Sequence, residues 1–207
     1  MTNLTLYYGP TSPYVRKVMI VLYETDQLDD IMIKTTTGTP LDSARMPLSQ
    51  NPLGKVPVLE RSDGPAIIDS RVICRYLDAR ANARLYPEGE TLWSVLTLEA
   101  LAEGILDAAL QMTYETRLRP EEMRIEAIVD GLWAKIDRTV AMIETRWMGH
   151  LAGRFGIGHI AVGSALGYLD LRLDARGWRT GAPALAAWYE EIKARPSFVA
   201  TAPPADA

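Results

Sequence analysis

Apolar positions come in short bursts over the first third of the chain and at helical spacing over the rest, with the change near residue 81. Leu4-Thr5-Leu6-Tyr7-Tyr8 predicts a strand, cut off by Gly9-Pro10. Ser12 follows as a helix N-cap, with Pro13 at the first helical position, where a missing N–H does no harm. Ile31-Met32-Ile33-Lys34 predicts a second strand. Val56-Pro57-Val58-Leu59 and Ala66-Ile67-Ile68 flank Ser62-Asp63-Gly64 as a hairpin, and Asp69 then caps a helix reaching about residue 80.

That order, β-α-β, a loop, then β-β-α, predicts a thioredoxin-like α/β domain over residues 1–80, a four-stranded sheet with helices on its faces. Residues 81–91, containing Leu85-Tyr86-Pro87-Glu88-Gly89, read as a linker. From 92 to 207 the periodicity is helical, with helices expected over 92–118, 121–149, 159–176 and 183–194. The fold class is therefore an α/β thioredoxin-like N-terminal domain followed by an all-α C-terminal domain, with no internal repeat.

Charge and composition narrow the chemistry. Basic and acidic residues, 22 against 26, are mixed along the chain and give a net −4, so nucleic-acid binding has no electrostatic support and an anionic ligand needs a local site. The single cysteine, Cys74, cannot form an internal disulfide, and two histidines, His150 and His159, do not make a metal cluster, so no metal is expected. No apolar run approaches the roughly 20 residues of a membrane span, and the N-terminus has no basic segment followed by an apolar one. A soluble, cytoplasmic protein with no membrane partner is the expectation.

Three strings suit a small anionic thiol. A thiol with a pKa near 8.5 is only a few per cent thiolate at neutral pH, and lowering that pKa by about two units takes roughly 2.7 kcal/mol. In Thr11-Ser12-Pro13-Tyr14 the Ser12 hydroxyl can donate to the sulfur while the helix terminus, and Arg16 one turn on, add positive charge. Ser12 could equally cap its helix and do nothing more. In Gly54-Lys55-Val56-Pro57-Val58 a cis-proline would turn the N–H and C=O of Val56 toward a peptide-like ligand, although an ordinary trans proline at a strand edge is open too. Asp69-Ser70 opens a helix whose N–H groups and hydroxyl can hold a carboxylate while the Asp69 side chain takes an ammonium; capping alone again explains the pair.

Together these residues resemble the glutathione transferase superfamily over nearly the whole chain. Ser12-Pro13-Tyr14-Val15 is similar to the glutaredoxin Cys-Pro-Tyr-Cys with serine at the nucleophile position. Asn51-Pro52-Leu53-Gly54-Lys55-Val56-Pro57-Val58-Leu59 resembles the superfamily's cis-proline segment, and Asp69-Ser70 its γ-glutamyl-binding pair. In the second half, Gly167-Tyr168-Leu169-Asp170-Leu171-Arg172 and Arg195-Pro196-Ser197-Phe198 resemble bacterial members.

The resemblance implies a homodimeric, serine-type enzyme with glutathione as co-substrate, Ser12 as donor to its sulfur, and Lys55, Val56, Pro57, Asp69 and Ser70 as further glutathione-binding residues. Detoxifying conjugation of a small hydrophobic electrophile is the activity it implies; a non-catalytic binding module and a glutathione-dependent isomerase or dehalogenase are the alternatives. Gly9, Pro10 and Tyr14 would face Asp107, Leu110, Gln111 and Tyr114 across an electrophile pocket between the domains, while Met112 reads as core. Lys55, beside Val56, is a candidate for the glycine carboxylate, although at a strand entrance it can equally point to solvent; Arg16 is the weaker candidate, and by analogy Glu103 and Asp107 could reach the γ-glutamyl ammonium of a neighbouring subunit. Tyr7 and Tyr8 compete with Ser12, since some relatives use a tyrosine at the end of the first strand. Cys74, on an apolar helix, reads as structural, and without a cysteine at position 12 thiol-transferase chemistry is not expected. One departure stands out. Relatives begin the helix near His159 with a Ser/Thr-x-x-Asp capping box, whereas this chain has Gly156-Ile157-Gly158-His159, which predicts lost side-chain caps and a histidine poorly placed if protonated.

Overall fold

The computed structural model describes residues 4–204, which form two compact units. The first unit holds a sheet in the order β2-β1-β3-β4, from β1 (Leu4–Tyr8), β2 (Ile31–Thr35), β3 (Val58–Arg61) and β4 (Ile67–Ile68). β1 runs parallel to β2 and antiparallel to β3, with Tyr7 opposite Val58, and β3 runs antiparallel to β4, with Val58 opposite Ile68. β3 begins at Val58 and not at Val56, because Pro57 has no N–H to give the ladder. The core sits where Leu4, Leu6, Val58 and Leu59 of the strands are buried with Val15, Val18 and Val21 of α1 (Pro13–Glu24) and Ile73, Cys74 and Leu77 of α2 (Ser70–Ala81).

The first unit runs to Tyr86 and also takes in Pro196–Ala200 near the far end of the chain. The causes are specific. The buried Asp78 carboxylate accepts from the amides of Leu85 (2.7 Å) and Tyr86 (3.3 Å), holding the start of the linker to α2. At the other end α8 (Pro196–Ala200) is fixed to α1, Arg16 donating to the Phe198 carbonyl at 3.2 Å and the Ser197 hydroxyl donating to Glu24.

The second unit contains α3 (Thr91–Arg117), α4 (Glu126–Arg146), α5 (Met148–Leu151), α6 (Ile157–Leu173) and α7 (Pro183–Lys193). α6 is buried without interruption from Ile157 to Leu169, as expected of a helix apolar on every face, and α3 lies so close that a methyl on Gly158 would stand 3.0 Å from Leu98. The helix expected over 121–149 is broken into a short 3-10 turn, α4 and α5. The extended Arg124 interrupts it, and its side chain turns back to the carbonyls of Thr116 (2.6 Å) and Arg119 (3.2 Å), which the end of α3 leaves open. In the last turn of α6, Asp170 receives Arg179 at two points (2.6 and 2.7 Å) and the Trp178 indole N–H (2.9 Å), fixing the turn into α7.

Candidate functional site

Sheet register brings the three strings together. β1 ends, β3 begins and β4 ends at one edge of the sheet, because Tyr7, Val58 and Ile68 lie across from one another in adjacent strands. Strands stand about 4.8 Å apart, so the three emerging segments start within about 10 Å of each other. Gly9 shows how closely two of them pack: a methyl on it would come 3.3 Å from Val56 Cγ2 and 3.6 Å from Ser12 Cβ. A side chain there would need Val56 to give way by a few tenths of an ångström.

Ser12 is the N-cap of α1, half-buried, its Oγ accepting from the Val15 amide at 3.3 Å. That bond uses one lone pair and leaves the hydroxyl proton to be donated elsewhere. The Val56–Pro57 peptide is cis. Asp69 caps α2 at φ 71°, ψ 130°, a conformation that costs a non-glycine residue on the order of 1–3 kcal/mol, and its carboxylate accepts from the Arg71 amide (2.9 Å), Nε (3.0 Å) and Nη2 (2.9 Å). These Arg71 bonds, with a smaller contribution from Lys17, hold its pKa below the ordinary aspartate value against the opposing effect of burial. Asp69 is thus an exposed, ionised carboxylate at a helix start, and Ser70 beside it is buried.

Two proteins of solved structure share this fold over essentially the whole chain. A glutathione transferase family member from Pseudomonas fluorescens Pf-5, solved with glutathione bound, is 45% identical over 98% of this chain and 100% of its own, with a TM-score of 0.95. A glutathione S-transferase from Methylobacillus flagellatus KT, solved with glutathione, is 36% identical over 98% of this chain and 100% of its own, with a TM-score of 0.85. The GST-like protein YibF of Escherichia coli K12 is 33% identical over 94% of this chain and 96% of its own. Family models match as the glutathione S-transferase N-terminal domain over residues 6–85 and its C-terminal domain over 126–191. The chain belongs to the glutathione S-transferase family. It is accordingly an enzyme of the transferase class.

Of the two tyrosines near the end of β1, Tyr7 is engaged elsewhere. The Tyr7 hydroxyl is buried and donates to Glu60 Oε2 at 2.9 Å, and burial followed by the Glu60 carboxylate pushes its pKa up, the wrong direction for a thiolate partner. Cys74 is buried inside α2, and Met112 is buried in α3, as core residues. Arg16 lies over the Phe198 ring at 5.7 Å besides bonding its carbonyl, so its guanidinium is directed to α8. The Lys55 side chain is exposed, while its carbonyl accepts from Asn51 Nδ2 at 2.9 Å. Gly9, Pro10 and Tyr14 are half-buried. On α3, Asp107, Leu110, Gln111 and Tyr114 recur at intervals of three and four and share a face that is exposed or half-buried, opposite Ile105, Ala108, Ala109 and Met112. Burial pushes the Tyr114 hydroxyl up, and Tyr168 adds to the shift.

The start of α6 corrects an expectation. Gly156 has no side chain with which to cap, but the Gly156 amide donates to His159 Nδ1 at 3.3 Å, so half of the side-chain box survives with imidazole in place of carboxylate. Nε2 therefore carries the proton and donates to the Leu151 carbonyl at 3.2 Å. His159 is 3% exposed, ringed by Phe155, His150 and Trp188, and burial followed by His150 pushes its pKa down to about 4. The ring is neutral, so the unfavourable cation at a helix start does not arise.

Sequence reasoning missed two features. Lys17 is fully buried, whereas a lysine ordinarily reads as exposed, and Glu60 gathers Tyr7 and Gln50 across the sheet. No sequence signal marks the first; the Tyr7 and Glu60 pair could have been found from the strand register, once known. Among the described residues no group of three or more His, Cys, Asp or Glu could hold a metal ion, and no helix is long and apolar enough to cross a membrane.

Proposed function

We propose that this chain is a serine-type glutathione transferase that ionises glutathione at Ser12 and joins its sulfur to a small hydrophobic electrophile. Glutathione lies across the open edge of the sheet. Its cysteinyl backbone pairs with the N–H and C=O of Val56, as an added strand would. The γ-glutamyl carboxylate meets the Ser70 hydroxyl and the first amides of α2, and the ammonium meets Asp69. The sulfur then falls at the amino end of α1, where the Ser12 hydroxyl donates to it. A charge-assisted hydrogen bond and a helix terminus together supply roughly the 2.7 kcal/mol that two pKa units require. With a chlorinated nitroaromatic the thiolate forms a carbon–sulfur bond, chloride leaves with the carbon–chlorine electron pair, and the thiol proton has already gone to solvent.

The observation that carries this reading is the convergence of Ser12, Val56 and Asp69-Ser70 at one sheet edge while the Tyr7 hydroxyl is committed to Glu60. Support comes also from the Pseudomonas relative, which in a second structure, 44% identical to this chain with a TM-score of 0.90, holds S-(propanoic acid)-glutathione, a thioether. The test is Ser12→Ala assayed with 1-chloro-2,4-dinitrobenzene. Turnover should fall roughly a hundredfold, the scale of losing one preorganised donor to a developing anion, with glutathione binding retained. Unchanged turnover would return the role to a tyrosine or to the helix terminus alone.

A further inference from the structure

The segment that ends in Val56-Pro57 is tied to the sheet at two points. Its downstream end is β3 itself, which starts at Val58. Its upstream end is held by a side chain: Gln50 Nε2 donates to Glu60 Oε1 at 3.0 Å, and Glu60 lies two residues beyond Val58 on the same strand and the same face. The other Glu60 oxygen takes the Tyr7 hydroxyl of β1 at 2.9 Å, a diagonal reach, since Tyr7 stands opposite Val58. Ser49 Oγ bonds Gln50 Oε1 at 2.6 Å, which fixes the amide so that its NH2 faces the carboxylate. Lys34, opposite Tyr7 in β2, lies over the Tyr7 ring at 5.0 Å. Bonds from Gln50 and Tyr7, with Lys34 nearby, hold the Glu60 pKa below its ordinary value.

Between the two ties the segment is bonded to itself. Asn51, buried, accepts from the Leu53 amide (3.1 Å) and donates to the Lys55 carbonyl (2.9 Å), while the Gly54 amide donates to the Asn51 carbonyl (3.0 Å). Gln50, Asn51, Val56, Val58 and Glu60 therefore form a closed ring in which Val56 has its backbone position set from both sides. The Gln50 to Glu60 bond closes that ring, side chain to side chain.

We infer that Glu60, Gln50 and Tyr7 are positioning residues for glutathione: the carboxylate bridges β1 and the segment before Pro57 so that Val56 presents its N–H and C=O at a fixed place. This rests on the reading of Val56 as the docking residue. It also gives the strand-end tyrosine a different task from thiolate donation.

The ring acts on where the tripeptide backbone lands and not on the sulfur, which sets it apart from Ser12 in measurement. In Gln50→Leu, Tyr7→Phe and Glu60→Gln, calorimetric Kd and KM for glutathione should rise about five- to tenfold. At saturating glutathione, kcat with 1-chloro-2,4-dinitrobenzene and the pKa seen in its pH profile should stay within twofold and a few tenths of a unit. Gln50→Leu combined with Glu60→Leu should lose no more affinity than Glu60→Leu alone, the signature of a shared interaction. Tyr7→Phe removes a single oxygen and keeps the test open should Gln50→Leu unfold. Variants that melt at lower temperature yet bind glutathione as the unaltered protein does would overturn the inference and make the network structural only. An unaltered protein that does not bind glutathione at all would overturn the reading of Val56 as well.

Discussion

Helices begin in two different settings in this protein. At the sheet edge, α1 and α2 start with Ser12 and Asp69, a half-buried hydroxyl and an exposed carboxylate, each accepting one backbone N–H and retaining capacity toward a ligand. In the helical unit, α6 starts at Gly156 under a buried neutral imidazole whose two nitrogens are both engaged within the chain. The orphan amides and partial positive charge are the same in both settings. What differs is access. A capped but open helix start can take an anion, whereas a closed one contributes only stability, and the same residue types near a helix start mean opposite things in the two places.

The largest effect that sharpens this contrast is Ser12→Ala, with roughly a hundredfold loss of kcat and a small loss of stability, about 1 kcal/mol for the missing cap. His159 should give the reverse pattern. Its folded pKa lies near 4, against 6.5 as the unfolded reference. Between those values the unfolded chain binds the extra proton, so stability is full above about pH 6.5 and declines as pH falls toward 4, by roughly 3 kcal/mol in all. Urea unfolding at pH 7 and 4.5 measures the slope. His159→Asn should remove that part of it and leave kcat at pH 7 within twofold, and an unchanged slope would count against the buried neutral ring.

Asp69→Asn comes next. Asparagine caps a helix about as well, so stability should hold within about 0.5 kcal/mol while KM for glutathione rises roughly tenfold, the scale of a hydrogen bond between charged groups. The smallest expected effect belongs to Lys55→Ala. An exposed side chain at this position should change KM for glutathione less than twofold, and a larger rise would restore Lys55 as the partner of the glycine carboxylate.

The sheet-edge unit was legible in sequence where the signals are local. Leu4–Tyr8 was read to its exact ends, and the Ser12-Pro13 and Asp69-Ser70 starts follow from capping chemistry that involves two or three neighbouring residues. Features that depend on distant partners were not legible. The neutrality of His159 is set by burial and by His150, the return of α8 to the first unit by Arg16 and Glu24, and the Glu60 bridge by a cross-strand diagonal. The break before α4 lies between: Pro120 is visible in sequence, but the turning back of Arg124 onto α3 is not. Local chemistry therefore located the two helix starts, and tertiary chemistry decided how the segments around them are held.

In the proposed function the open start of α1 stabilises a sulfur anion through Ser12. Ultraviolet difference titration of the glutathione complex reads the thiolate directly. The bound thiol should ionise about two pKa units below the free one, and in Ser12→Ala that shift should shrink by at least one unit while glutathione stays bound. An identical bound pKa in the two proteins would contradict the account.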